Sequence, residues 1–157
     1  MDSMEVEIPG VEVRRLARHA DARGWLAELF RADELSAELQ PVMGYISVTI
    51  PGQSRGPHEH RQQTDLFCFP GPGELDLYLW DARSGGSPSK AQVLRVGASN
   101  PVVVIVPPGV VHGYRAVGEA PAVILNFANC LYGGASRSSP VDEIRHEGRP
   151  GSPYHME

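Results

Sequence analysis

Four side chains in two distant parts of the chain have the types and spacing to carry out chemistry. His58 and His60 are two positions apart, so on a β-strand they point to the same side. Asp65 follows shortly afterwards, and His112 stands just after a Pro-Pro-Gly turn far downstream. Such a set can move protons, because imidazole titrates near neutral pH, or it can bind Fe, Mn, Ni or Zn. Histidines that merely lie exposed at a strand end would do neither.

The basic residues favour an anionic small ligand. Of the 14 basic residues only Lys90 is a lysine, and it lies in a segment rich in Gly, Ser and Pro. Schiff-base and pyridoxal chemistry need a placed lysine amine, so neither is expected. Arginine binds phosphate or carboxylate through paired hydrogen bonds. Arg55 comes shortly before His58, so we expect its guanidinium to lie beside that histidine and to bind an anionic group of the ligand.

Composition excludes several classes of protein. The chain has 157 residues, 41% of them apolar, and a formal charge of −5, which fits neither a basic nucleic-acid binder nor a disordered chain. The longest apolar run, residues 102–111, contains proline and glycine and is too short to span a bilayer. No secretory leader is visible, so we expect a cytoplasmic protein with no membrane or nucleic-acid partner. Cys68 and Cys130 are expected to be small core residues.

Short runs rich in valine and isoleucine, separated by glycine and proline, predict many strands. These cover residues 11–18, 25–31, 42–50, 64–69, 74–80, 91–96, 102–106, 112–117 and 122–127. One short helix is predicted over residues 32–40, with acidic residues early. The pattern indicates an all-β sandwich or closed barrel in one domain spanning residues 1–157. Within it we expect N-terminal strands over 8–31, a barrel core over 42–129 and a tail over 133–157 that wraps the surface or a partner subunit.

Two strands carry further information. In residues 74–80 leucines alternate with polar or aromatic residues, so the leucines should all point to one face. Residues 102–106 are apolar on both faces. That strand should therefore lie centrally in a sandwich or at a subunit interface.

The histidine motifs resemble those of the cupin superfamily. The His-x-His pair, the carboxylate that follows it and the histidine after Pro-x-Gly together match the two cupin motifs over about residues 52–117. The resemblance implies a small double-stranded β-helix barrel of jelly-roll type. It agrees with the strand count, which was obtained independently.

A second resemblance covers most of the chain, about residues 8–129. Residues 21–28 (DARGWLAE) look like the D-x-R-G-aromatic-x-x-E segment of the dTDP-4-dehydrorhamnose 3,5-epimerase family. Residues 47–58 fit the spacing of its N-x-S-x-S…G-x-x-R-G-L-H motif, residues 80–85 its V-D-L-R-x-G turn and residues 106–114 its P-x-G-x-A-H-G-F. This resemblance implies an enzyme for 4-keto-6-deoxy sugars attached to dTDP, commonly dimeric and without metal.

The same resemblance implies roles for individual residues. His58 holds the place of the base that takes the proton next to the keto group, with Asp142 as the best substitute for its aspartate partner. Tyr132 is the candidate general acid. The family's enolate-stabilising lysine aligns with Asp65, and its acid tyrosine aligns near Cys130. Because a negative charge opposes an enolate, we expect a single epimerisation or a keto-isomerisation rather than a double epimerisation.

The segment from Arg55 to His60 also resembles the R-G-x-H-A-H of dTDP-sugar 3,4-ketoisomerases, which implies a second proton-transfer role for His60. The residues expected to bind the substrate are Arg23, Glu28, Ser47, Arg55, Gln63 and His112.

The sequence thus predicts a homodimeric isomerase of nucleotide-linked sugars that needs no cofactor. Two alternatives stay open. One is a metal-dependent enzyme acting on another small molecule, with a divalent transition metal (Fe, Mn, Ni or Zn) held by His58, His60, Asp65 and His112. The other is a binding-only protein that has lost turnover.

Overall fold

Twelve antiparallel strands form two facing sheets and a separate hairpin in the computed structural model, which describes residues 6–88 and 90–157. The strands are β1 Glu12–Arg15, β2 His19–Asp21, β3 Gly24–Leu26, β4 Met43–Thr49, β5 Ser54–Glu59, β6 Asp65–Phe69, β7 Glu74–Asp81, β8 Gln92–Gly97, β9 Val102–Val106, β10 Val110–Val117, β11 Ala122–Ala128 and β12 Ile144–Arg145. The first sheet has the order β1-β9-β6-β11-β4 and the second β12-β5-β10-β7-β8, while β2 pairs with β3. This is the predicted all-β jelly roll.

The main core fills the space between the two sheets. On β7, Leu75, Leu77 and Leu79 are fully buried there, as the alternation predicts. The aromatic residues of β7 point to the opposite face. Apolar residues from both sheets therefore meet in one layer, which is the driving force for closing the sandwich.

Strand β9 is buried on both faces because a second apolar layer covers the outside of the first sheet. Val102, Val104 and Val106 belong to the main core, whereas Val103 and Ile105 pack outward. The outward residues contact a cluster contributed largely by the segment between β1 and β4, including Leu16 and Leu35. The sequence left two explanations for this apolar strand, a central position in the sandwich or a subunit interface. The structure shows the central position.

The predicted helix over residues 32–40 is wrong. Two isolated 3-10 turns, Ala32–Glu34 and Ala37–Leu39, occupy the segment. Leu35 and Ser36 between them have extended backbone angles. The side-chain amide of Gln40 donates to the carbonyls of Ala32, Leu35 and Ser36, where an α-helix would have backbone amides four residues on. The carbonyls of Ala32 and Ser36 also accept the backbone hydrogen bonds of the two 3-10 turns.

The C-terminal tail lies on its own barrel. Strand β12 pairs with β5, placing Ile144 opposite Glu59 and Arg145 opposite His58. Farther along, Tyr154 and Met156 cover the outward face of β7 around Trp80. The tail thus extends the second sheet and covers part of its outer face. The sequence of the tail, which lacks apolar periodicity, did not predict this strand pairing.

The strand prediction failed mainly where polar and turn-forming residues predominate. Strands β2, β5 and β12 lie outside the nine predicted runs, and β5 has the sequence SRGPHE. The predicted strands over 11–18 and 25–31 shorten to β1 and β3. Within the described residues, no helix is both long and apolar enough to cross a membrane.

Candidate active site

The two histidine motifs meet on adjacent strands of the second sheet. His112 on β10 pairs across the ladder with His58 on β5, and their ring centroids are 4.5 Å apart. His60 follows the end of β5, with its ring centroid 5.8 Å from that of His112. Asp65 begins β6 in the facing sheet. The site therefore lies between the sheets, at one end of the barrel.

A glycine allows the close approach of these strands. Gly56 has φ +88°, and a Cβ there would meet the His112 carbonyl oxygen at 2.8 Å and Gly113 Cα at 2.9 Å. A larger residue would be strained in this conformation and would push β5 away from β10. The glycine of the Arg-Gly-Pro-His segment thus sets the distance between His58 and His112.

Asp65 is the fully buried centre of the cluster. Its Oδ1 accepts hydrogen bonds from Gln63 Nε2 at 2.7 Å and from Asn126 Nδ2 at 2.9 Å. Its Oδ2 lies 3.0 Å from His60 Nε2 and 3.2 Å from His112 Nε2. Two neutral amides therefore orient the carboxylate so that its second oxygen faces two imidazoles.

Backbone carbonyls fix the orientation of both imidazoles. His112 Nδ1 donates to the carbonyl of Val110 at 2.9 Å, and His60 Nδ1 donates to the carbonyl of Asp142. Each ring consequently presents Nε2 to Asp65. Burial lowers the pKa of His60, but the neighbouring Asp65 carboxylate outweighs this and raises the pKa to about 8. Burial also raises the pKa of the Asp65 carboxyl, but His112 and His60 more than offset it and hold the pKa well below its usual range.

His58 differs from the other histidines in position and protonation. Its side chain is 16% exposed, against 9% for His60 and 1% for His112. Its Nδ1 lies 4.0 Å from Glu143 Oε1. Burial, followed by electrostatic interactions with the neighbouring rings of His112 and His60, lowers the pKa of His58 to about 3. The ring is therefore neutral at physiological pH, as a proton-accepting group must be.

A cleft with two lobes opens onto His58. One lobe has a volume of about 440 Å³ and the other about 430 Å³. Tyr45, His58, Glu143 and Arg145 line both lobes, so His58 lies where the lobes join. Each lobe lies in the range of small-ligand sites, and the pair offers room for a ligand with two parts.

The two candidate catalytic residues that are not histidines, Asp142 and Tyr132, have different surroundings from those expected. The carboxylate of Asp142 accepts hydrogen bonds from the backbone amides of Arg61, Gln62 and Gln63 at 2.8–2.9 Å. It thus holds the turn after β5, and the carboxylate facing His58 is that of Glu143. Tyr132 is 55% exposed and lines the first lobe at its rim.

Three of the predicted substrate-binding residues line the cleft with His58. Ser47 and Arg55 line the second lobe, and Gln63 lines the first. Arg55 also donates to Thr49 Oγ1 and to the Val48 carbonyl, both at 3.2 Å, which joins β5 to β4. His112, which was also predicted to bind the substrate, is completely enclosed behind His58 and contacts Asp65.

The other two predicted binding residues lie elsewhere on this chain. Arg23, whose side chain is 90% exposed, pairs with Asp21 on the β2–β3 hairpin. Glu28 pairs with Arg31 beside the outer apolar layer. Neither lines the two lobes at His58.

Sequence reasoning missed several residues that line the cleft. Tyr45, Asn126 and Arg137 line the first lobe together with Glu143 and Arg145. Tyr45 and Asn126 lie on β4 and β11 as ordinary alternating positions, so their types alone gave no signal. Glu143 could have been found from its place beside Asp142 in the only acidic pair of the tail (DE).

Comparisons with known proteins agree with this architecture. The family model described as dTDP-4-dehydrorhamnose 3,5-epimerase matches residues 5–139. The chain is 37% identical over 126 residues to the spore coat polysaccharide biosynthesis protein SpsL of Bacillus subtilis, covering 80% of this chain and 82% of that protein. It is 37% identical over 128 residues to the probable low-salt glycan biosynthesis epimerase Agl13 of Haloferax volcanii, covering 80% and 81%.

A solved structure shows the same fold at lower identity. The crystal structure of a dTDP sugar isomerase from Desulfovibrio desulfuricans superposes with a TM-score of 0.76 at 22% identity, covering 98% of this chain and 94% of that one. With a family model that spans most of the chain and two relatives at 37% identity, this protein belongs to the dTDP-4-dehydrorhamnose 3,5-epimerase family.

Proposed function

We propose that the protein is an epimerase acting on a 4-keto-6-deoxy sugar linked to a nucleoside diphosphate, with His58 as the base. The observation that carries the proposal is the position of His58 at the junction of the two lobes, with its Nδ1 4.0 Å from Glu143 Oε1. The sugar would lie against His58, with the nucleotide in the adjoining lobe. Family membership supports this substrate class.

The reaction requires no oxidant or reductant. His58 takes the proton from a carbon next to the ketone, and the electrons of the broken C–H bond form the enolate. A proton returned to the opposite face of that carbon then inverts its configuration. We assign the donor to Tyr132, since burial raises the pKa of Tyr45 and of Tyr114, the other two phenols of the cleft, and makes both of them poorer acids than an ordinary phenol.

Arginine side chains around the cleft suit the diphosphate. Arg55 lines one lobe, Arg137 the other, and Arg145 both. Charge-assisted hydrogen bonds from guanidinium groups are the strongest that a diphosphate can receive from side chains.

The geometry of His60 favours epimerisation over keto-isomerisation. The ring lines the first lobe, but its Nδ1 donates to the Asp142 carbonyl and its Nε2 faces Asp65, so both nitrogens are engaged by groups of the protein. A second proton-transfer group would need a nitrogen directed at the substrate.

A homodimer is part of this proposal. Along β4 and the two residues that flank it, four apolar side chains at alternating positions are about half exposed or more: Val42, Ile46, Val48 and Ile50. An apolar stripe on an edge strand is typical of a subunit interface. Arg23 of a second subunit could then reach the cleft that Arg23 of the same chain does not line. We also propose a cytoplasmic location, because Cys68 and Cys130 are free thiols, which suit a reducing compartment.

The direct test is incubation with dTDP-4-keto-6-deoxyglucose in heavy water, followed by proton NMR. We expect loss of the signal from one carbon-bound hydrogen next to the ketone and appearance of an epimer. Binding of dTDP without any exchange would support the binding-only alternative and contradict the proposal.

A further inference from the structure

Strand β12 has one side in the cleft and the other on the outside of the second sheet. Glu143, Arg145 and Glu147 line the cleft, at every second position. Because successive side chains on a strand point in opposite directions, His146 takes the other side. There its ring centroid lies 4.6 Å from that of Tyr154. Contacts on the outer side of β12 can therefore act on charged groups in the site.

The strand is held only weakly by its own ladder. β12 has two residues and lies at the edge of the second sheet, next to β5. The backbone amides of His146 and Glu147 donate to the Pro57 carbonyl at 2.9 and 3.2 Å. Each such bond contributes little net free energy, since water competes for the same groups, and short edge segments open more readily than core strands. The position of β12 therefore depends on contacts beyond the ladder.

The end of the tail supplies such contacts through Tyr154 and Met156, which we call the tail anchor. Tyr78, Trp80 and Val111 point to the outer face of the second sheet and are nevertheless buried, because the tail anchor packs on this cluster. The rings of Tyr154 and Trp80 meet edge-on, with their centroids 5.5 Å apart. Burial of this apolar surface favours the seated tail.

A glycine of β10 makes room for the anchor. A Cβ at Gly113 would lie 2.8 Å from Met156 Sδ and 2.9 Å from the Arg55 carbonyl oxygen. The methionine sulfur thus lies directly over the backbone of the strand that also carries His112. Next to it, the Tyr78 hydroxyl donates to the Glu157 carbonyl. The outer face of the second sheet is therefore shaped to receive residues 154–157.

The path from the tail anchor to the site is short. Tyr154 contacts His146, and the next residue back along the chain is Arg145, which pairs across the ladder with His58. We propose that Tyr154 and Met156 are positioning residues: by packing on the outer face of the second sheet they hold β12 so that Glu143 and Arg145 stay beside His58.

Both residues of the tail anchor lie beyond residues 5–139, the part of the chain that the family model matches. The expected effect on turnover rests on the proposed function, whereas the hold on β12 does not. The two can therefore be measured separately.

The first measurement is backbone hydrogen exchange of the segment 143–147, followed by mass spectrometry. Combining Tyr154→Ala with Met156→Ala removes the tail anchor, whereas Tyr154→Phe with Met156→Leu keeps the ring and the apolar bulk. His155→Ala, a change of the exposed residue between them, is the matched control. In the double alanine variant, exchange of this segment should be roughly tenfold faster or more, because lost apolar contacts lower the free energy of opening. The increase should exceed any increase in β6, and the other two variants should exchange as the parent does.

The second measurement is heavy-water exchange of the substrate. It should fall about 10–100-fold in the double alanine variant, since a displacement of about 1 Å can cost 100-fold. A loss that acts through β12 should be absent where the side chains of β12 are already changed. In a Glu143→Gln, Arg145→Gln background, removing the tail anchor should cost no more than about twofold further, the limit of ordinary additivity. A purely structural role would give the same loss in both backgrounds.

Parental exchange of the segment 143–147 in a folded double alanine variant would overturn the proposal, and so would equal losses of turnover in the two backgrounds. If the double variant does not fold, Met156→Ala alone is judged by the same criteria. A parent without substrate exchange, together with faster exchange of the segment 143–147 in the variant, keeps the tail anchor and overturns the epimerase. Equal substrate exchange in the parent and the variant keeps the epimerase and overturns the positioning role.

Discussion

His112 lies directly across the β5–β10 ladder from His58, with the two ring centroids 4.5 Å apart in an edge-on arrangement. Although the two residues are paired, their side chains differ in burial. His112 is enclosed against Asp65, while His58 reaches the cleft. His58 is therefore placed to act on a ligand in the cleft, whereas the enclosed ring of His112 is not.

His58→Asn tests the base. Asparagine cannot accept the substrate proton, so exchange of the carbon-bound hydrogen in heavy water should fall about 10²–10⁴-fold. Binding of dTDP should change little. His155→Asn, a change of an exposed histidine in the tail, is the matched control. Exchange within tenfold of the parent would exclude His58 as the base.

Arg137→Gln tests recognition of the diphosphate. Losing one hydrogen bond from a charged group costs about 1.5–3 kcal/mol, so the Kd for dTDP measured by calorimetry should rise roughly 10-fold or more. The difference in Kd between the variant and the parent should become smaller with added salt, because screening weakens the attraction between Arg137 and the diphosphate in the parent. Arg149→Gln, which lies outside both lobes, should bind as the parent does. Equal Kd values for the two variants would remove Arg137 from the binding site.

Asp142→Ala tests the anchor of the turn after β5. The carboxylate accepts three backbone hydrogen bonds, and its loss should cost about 2 kcal/mol, or roughly 4–8 °C in melting temperature at pH 7. Burial raises the pKa of Asp142, but the amides of residues 61–63 and the charge of His60 outweigh it, and the net pKa is lowered.

The sign of the pH dependence follows from that lowered pKa. The stabilising contribution is complete above the unfolded pKa of about 3.9 and disappears as the pH falls through the lower folded value. The difference in melting temperature between parent and Asp142→Ala should therefore be constant from pH 7 to about 5 and close toward pH 3. A difference that widens in acid would contradict the anchoring role.

Ile46→Asp tests the dimer. Ile46 is 65% exposed on the outer face of β4, so the change should leave the monomer fold intact. A carboxylate facing an apolar partner surface would be costly to bury, and light scattering should show a shift from dimer to monomer. Val93→Asp on β8, at the edge of the other sheet, is the control and should stay dimeric. A parent that is monomeric at micromolar concentration would contradict the interface.

Local patterns were sufficient for the strands of the core but not for the short helix. The alternating leucines of β7 fix which side faces the core, because successive side chains on a strand point in opposite directions. The acidic and apolar residues of the segment 32–40 suit a helix. In the structure, however, the side-chain amide of Gln40 donates to three backbone carbonyls of the segment, and Leu35 is buried in the outer apolar layer. Tertiary contacts overrode a weak local preference.

The sequence by itself determined the chemical types at the site and the motifs that carry the family resemblance, because His-x-His and Pro-x-Gly-x-x-His are local spacings. Only the tertiary structure decided which carboxylate lies next to which histidine. Asp142 and Glu143 are neighbours in sequence, but β12 turns the first onto backbone amides and the second toward His58. The structure likewise brought Asp65 from one sheet against His60 and His112 of the other. Such contacts depend on how two sheets face each other, and no pattern within a single strand encodes that geometry.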